Sequence, residues 1–235
     1  MRYIYFLIIP FAVLISCGKS GSGKDESEAS KGSVSQGMIV YEITYLQDES
    51  ENSLISLLPD SMIYKYKGNS IVQIIEGWGK VFTMMGIVDY EAGTNSALVK
   101  VLGKKYHFES PLSSEERFGF DPLNGMKIEY VDETKEIGGF QCKKAVVHFT
   151  DTILTSPIEL YYTEDIKIEK PNRNNPFEEI QGVLMEYQMS FQKIPMVFKF
   201  KYIEKIKVDD SEFKVPDDFE KVTKDEMQQF INTLI

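Results

Sequence analysis

The chain has 235 residues, with 26 Lys plus Arg against 36 Asp plus Glu, a net charge of −10. Its composition, 43% hydrophobic and 26% charged, is that of an ordinary globular protein and excludes a disordered or fibrous chain. The acidic balance excludes a nucleic-acid backbone and a polybasic membrane contact as partners, because both need a basic surface, and two Cys with two His leave little for a Cys/His metal site.

The amino terminus reads Met1-Arg2-Tyr3 and then runs apolar from Ile4 to Ile15, interrupted by Pro10. A membrane-spanning helix needs roughly 20 apolar residues, so this shorter run reads as a signal peptide over residues 1–16. It ends in Leu14-Ile15-Ser16-Cys17-Gly18, which resembles a bacterial lipobox. That resemblance implies acylation of Cys17, which would make it the lipid-attachment residue and the new first residue of the chain. Each buried CH₂ contributes about 0.8 kcal/mol, so two or three acyl chains make a lasting membrane anchor. Cys142 then remains the single thiol, which excludes an intrachain disulfide.

Residues 17–37 form the expected tether. The stretch 18–36, GKSGSGKDESEASKGSVSQ, is rich in Gly and Ser and has almost no apolar surface to offset chain entropy. A flexible segment of this length spans about 24 Å on average. Gly18, Gly23 and Lys24 approach the phosphate-loop pattern, but Asp25 stands where a hydroxyl must bind Mg²⁺, and no strand precedes the segment. Asp25, Glu26 and Glu28 resemble the export signal of surface-exposed lipoproteins of Bacteroidetes-type bacteria, and they equally suit a solvated linker.

From Met38 to Ile235 the sequence reads as one β-rich domain. Ile39, Tyr41, Ile43 and Tyr45 alternate with more polar neighbours. So do Met62, Tyr64 and Tyr66; Met126, Ile128 and Tyr130; Ile158, Leu160 and Tyr162; and Met196, Phe198, Phe200 and Tyr202. Each run predicts a half-buried strand. Turn signals at Lys67-Gly68-Asn69, Gly77-Trp78-Gly79, Glu91 to Asn95 and Leu102-Gly103-Lys104 separate consecutive antiparallel strands. About ten or eleven strands are expected. Short helical turns are predicted over 53–58, ending at Pro59, and over 113–118, and a helix over 223–235. In the last, Thr223 caps, Asp225 and Glu226 fall at N2 and N3, and Met227, Phe230, Ile231 and Leu234 share a face. The expected fold is mainly β: a curved antiparallel sheet, a half-barrel, with one or more short helices covering its apolar face.

Several segments in order carry a family resemblance: Leu57-Leu58-Pro59 with Ile63 to Gly68, Asp89-Tyr90, Gly103 to Tyr106, Ile137 to Ala145, Tyr161 to Ile166, and Phe213 to Pro216. Together they resemble a family of uncharacterised Bacteroidetes envelope proteins, a domain of unknown function. The related folds are the outer-membrane lipoprotein carriers. The resemblance implies a half-barrel around a greasy interior, and it supplies no catalytic residues.

The residues that carry chemistry have plain readings. His107 and His148 lie on separate predicted strands without metal-ligand spacing. Cys142 lacks an adjacent base. Glu164, Asp165, Glu178 and Glu179 read as solvated loop charges in an acidic chain. Asp60-Ser61-Met62 and Asp151-Thr152-Ile153 match a short O-glycosylation pattern of Bacteroidetes-type envelopes. No catalytic residue, metal or cofactor is expected.

The aromatic load points to Tyr64, Tyr66, Phe82, Tyr162, Tyr187, Phe198, Phe200 and Tyr202 as candidates to line a cavity, with Met84, Met85, Met185, Met189 and Met196 as adaptable surface. As core, Phe200 would cost about 3–5 kcal/mol on truncation to Ala.

The expected function is that of a non-catalytic lipoprotein of the cell envelope, placed in the outer membrane and facing periplasm or exterior. Its expected partners are the membrane, through Cys17, and an apolar small molecule or lipid. The alternative is a structural or interaction lipoprotein with a filled core that binds a protein or glycan on its surface. A hydrolase of envelope polymers stands third, without a motif.

Overall fold

The computed structural model describes residues 36–48, 50, 55–116, 118–121, 123, 125–149, 156–173 and 175–233. The expected signal peptide, Cys17, nearly all of the tether and the Asp151-Thr152-Ile153 pattern lie outside the described residues.

The strands are β1 (Gln36–Tyr45), β2 (Ser61–Lys67), β3 (Ser70–Gly77), β4 (Phe82–Asp89), β5 (Thr94–Val101), β6 (Lys104–Pro111), β7 (Met126–Ile137), β8 (Phe140–Phe149), β9 (Ile158–Thr163), β10 (Val183–Phe191), β11 (Ile194–Glu204) and β12 (Glu220–Lys221). They form one curved, unclosed sheet in the order β12-β6-β5-β4-β3-β2-β1-β11-β10-β9-β8-β7. All pairings are antiparallel except β12 with β6. Twelve strands among the described residues stand against the ten or eleven expected. β1 begins at Gln36, two residues ahead of Met38.

Each turn signal read from the sequence falls between two strands. Gly68, Gly79, Gly93 and Gly103 all have positive φ there, a conformation open to glycine without a Cβ penalty. The turn of 53–58 appears as a short 3-10 segment, Ile55–Leu57. The expected turn of 113–118 is not helical in its described residues; Ser114 Oγ accepts the Glu116 N–H within an irregular loop. The one α-helix among the described residues, α1 (Lys224–Asn232), starts as predicted. Thr223 Oγ1 accepts the Glu226 N–H, and the Glu226 carboxylate accepts the Thr223 N–H in return.

The main core lies on one face of the sheet. Tyr41, Tyr64, Tyr66, Met185, Tyr187 and Phe198 are buried there. Three pieces cover them. α1 contributes Met227 and Ile231. The loop of 112–125 contributes Phe118, Phe120 and Leu123. The segment 164–182 contributes Ile166, Ile168, Phe177 and Ile180. Tyr41 Oη donates to the Leu184 carbonyl and Tyr64 Oη to the Pro171 carbonyl, so these two buried phenols are hydrogen-bonded, whereas Tyr66 Oη is buried with no hydrogen-bond partner among the described residues.

The opposite face of β3, β4 and β5 has its own small core, in which Val72, Ile87 and Leu98 pack under Val208 and Phe213. Those two residues belong to a strap, 205–219, that crosses the outer face and leads into β12. Lys65–Glu212 at 2.8 Å, Lys67–Asp210 and Lys105–Asp218 fasten it. Among the described residues no helix is long and apolar enough to cross a membrane.

Candidate functional site

The strand directions give the sheet two ends. β1, β3, β5 and β10 finish at the same end at which β2, β4, β6 and β11 begin. At this end the described residues leave a cavity of about 290 Å³ between the sheet and its cover. That volume sits at the lower bound of ordinary ligand pockets.

Its walls are built from strand ends. Tyr45 comes from β1, Ile75 from β3, Phe82 and Met84 from β4, Val101 from β5, Phe191 from β10, and Ile194 and Met196 from β11. Leu58 and Pro59, Leu102 of the β5–β6 turn, Phe120, and Ile231 with Thr233 at the end of α1 complete it. Among the described residues no charged side chain lines the wall. Of its two hydroxyl-bearing residues, Tyr45 uses its Oη to donate to the Pro59 carbonyl at 2.6 Å. Burial, with the Asp60 carboxylate nearby, pushes that phenol well above its ordinary range, so it stays neutral. The described wall therefore offers contact area that suits an apolar ligand.

Phe120 is placed by its neighbour. The Asp121 carboxylate accepts the N–H groups of Gln192 and Lys193 at 3.1 and 2.8 Å, and the Asp121 N–H donates to the Ser190 carbonyl. The loop of 112–125 is thus pinned to the β10–β11 turn, and the Phe120 ring packs edge-on against Phe198 at 5.8 Å. Beyond Phe120 lies a second space of about 50 Å³ that shares Ile75, Met84, Phe120 and Phe191 with the first.

Of the eight aromatic residues expected to line a cavity, Phe82 is at its wall, and of the five methionines, Met84 and Met196 are. Tyr64, Tyr66, Tyr187 and Phe198 are packed in the filled part of the core, where Tyr187 stacks on Phe198 at 5.0 Å. Tyr162 is buried against Tyr130, and Phe200 is half-buried beside Phe140. Tyr202 is 41% exposed. The reason is a bulge: Tyr41 pairs with Phe200 and Val40 with Tyr202, so Lys201 is an extra residue and the alternation changes phase there. Ile203 takes the inward place instead.

Sequence reasoning missed Tyr45, Ile75, Phe120, Phe191 and Ile231 as a group. Period-two patterning tells which face a residue is on; it does not tell how far along the strand the covering layer extends.

The remaining candidates are apart from the cavity and from one another. His107 lies on β6 and His148 on β8, near opposite edges of the sheet, and His148 Nε2 is 2.8 Å from Glu129. Glu164 pairs with Lys143 at 2.8 Å. Cys142 is buried, its Sγ donating to the Phe140 carbonyl at 3.5 Å, and burial pushes its pKa up to about 11, the opposite of what a nucleophile needs.

No family model matches the chain, and no curated protein matches it. Among solved structures the chain is similar to the crystal structure of LprF from Mycobacterium bovis. The two are 12% identical, with a TM-score of 0.27 over 73% of this chain and 85% of LprF. A likeness of that size carries no argument about ligand or mechanism.

Proposed function

We propose that the protein is a non-catalytic cell-envelope lipoprotein, anchored in the outer membrane through acylated Cys17, whose cavity holds an apolar or lipid ligand. The observation that carries this reading is the cavity itself: a space of about 290 Å³ at one end of the sheet whose described lining carries no charged side chain. Burying apolar surface there stabilises a complex by roughly 25 cal/mol per Å², without the desolvation cost of a buried polar group.

Titration with the apolar fluorophore N-phenylnaphthylamine tests the cavity. Saturable binding is expected, and Met84→Trp, which fills the wall, should weaken it at least tenfold. Equal binding by that variant would contradict the reading. One observation favours the second reading, a surface interaction protein: the tyrosine cluster of Tyr41, Tyr64, Tyr66 and Tyr187 is fully packed. A wild-type protein that binds no fluorophore would select that alternative.

A further inference from the structure

We propose that the open end of the cavity docks on a lipid bilayer, led by the Leu102 hairpin tip; this rests on reading the cavity as a lipid site. Leu102 and Gly103 form the two-residue β5–β6 turn with φ of +49° and +84°. Positive φ at both positions suits Asn-Gly or Asp-Gly, and a leucine there is sterically disfavoured. Leu102 is nevertheless 79% exposed, so the fold gains almost nothing from its side chain. A disfavoured backbone that presents an aliphatic side chain to water points to a use outside the fold.

The neighbours agree. Leu102 N–H donates to the Val81 carbonyl, which joins its turn to the β3–β4 turn. Val81 is 39% exposed, and Leu46, just past β1, is 50% exposed. Among the described residues these three are the exposed large aliphatic side chains, and all lie at the cavity's end of the sheet. The other exposed large hydrophobics, Tyr90, Tyr130 and Tyr202, carry hydroxyls and lie elsewhere.

Two lysines stand beside the tips. Lys80 is exposed, with Glu76 at 3.9 Å, and Lys104 is exposed with its Nζ 5.9 Å from the Phe230 ring centroid. In a chain of net charge −10, cations beside an aliphatic cluster complement the phosphates above a hydrocarbon layer. Leu102 also lines the cavity, so an acyl chain leaving the bilayer would pass along apolar surface rather than through water.

Flotation of the Cys17→Ser protein freed of residues 1–16 with phosphatidylcholine vesicles tests the proposal, since this chain lacks both the acyl anchor and the apolar run of 4–15. It should float with the vesicles. The double variant Leu46→Asn with Val81→Asn, neither of which lines the cavity, should associate about tenfold more weakly and still bind N-phenylnaphthylamine. Leu102→Asn should also lose association while its thermal midpoint stays equal or rises, because Asn tolerates the left-handed backbone. A Cys17→Ser protein that binds the fluorophore but never floats, or Asn variants that float like their parent, would overturn the docking and leave the cavity reading intact. A protein that floats through these side chains yet binds no fluorophore would support the docking and refute the cavity reading.

Discussion

Phe198 and Phe200 are two residues apart on β11 and read alike in the sequence, yet the structure separates them: Phe198 is fully buried and Phe200 half-buried. Phe198→Ala should cost about 3–5 kcal/mol and Phe200→Ala clearly less, measured by denaturant unfolding. Gly138 shows why Phe200 still matters. Its φ is +59°, and a Cβ there would lie 2.2 Å from Phe200 Cε1, so Gly138→Ala should destabilise through both strain and overlap.

The buried phenols set a pH limit. Burial raises the pKa of Tyr41, Tyr64 and Tyr187 well above 10. Below pH 10 the phenols are neutral in folded and unfolded chains alike, and their contribution is fully present. Above pH 10 only the unfolded chain ionises readily, so stability should fall by about 1.4 kcal/mol per pH unit for each. Tyrosinate absorbance of these residues should therefore appear together with unfolding. Their titration near pH 10 in a chain with native circular dichroism would contradict the burial.

At the level of elements, local chemistry was legible where a side chain acts on its own neighbourhood. The Thr223–Glu226 cap and the Gly68, Gly79, Gly93 and Gly103 turns are of that kind. Thr223→Ala should cost about 1 kcal/mol of stability, because α1 is only nine residues and has little helix to spare.

What escaped the sequence depends on distant partners. The β10–β11 turn has Gln192 and Lys193, both at positive φ, with no glycine to announce it. Asp121, some seventy residues earlier, supplies the acceptors that hold it. Asp121→Ala should loosen both that turn and Phe120, weakening fluorophore binding with a modest loss of stability. The strap of 205–219 was equally hidden. Its apolar residues Ile206, Val208, Phe213, Val215 and Phe219 fall in two short pairs and a single residue, too broken a pattern to announce a segment that packs across β3, β4 and β5.

At the scale of the molecule, mainly β architecture and a curved sheet were legible because alternation recurs along the chain, and the aromatic side chains on one face announced a core. The place of the cavity was not. It depends on where α1 and the loop of 112–125 stop, which no strand pattern records.

The order of strands also sets an orientation. β1 starts at Gln36, at the end of the sheet opposite the cavity, about 33 Å away for ten extended residues. Cys17→Ser should leave the circular-dichroism spectrum unchanged and abolish palmitate labelling; labelled palmitate on the variant would contradict the lipobox reading.

The proposed function requires that the cavity be occupied by an apolar ligand. Mass spectrometry of organic extracts from gently purified full-length protein tests it most directly, with Met84→Trp prepared in parallel. An amphiphile should accompany the wild type in near-stoichiometric amount and be depleted from the filled variant. Wild-type protein that consistently carries none, or the same amount in both preparations, would contradict it.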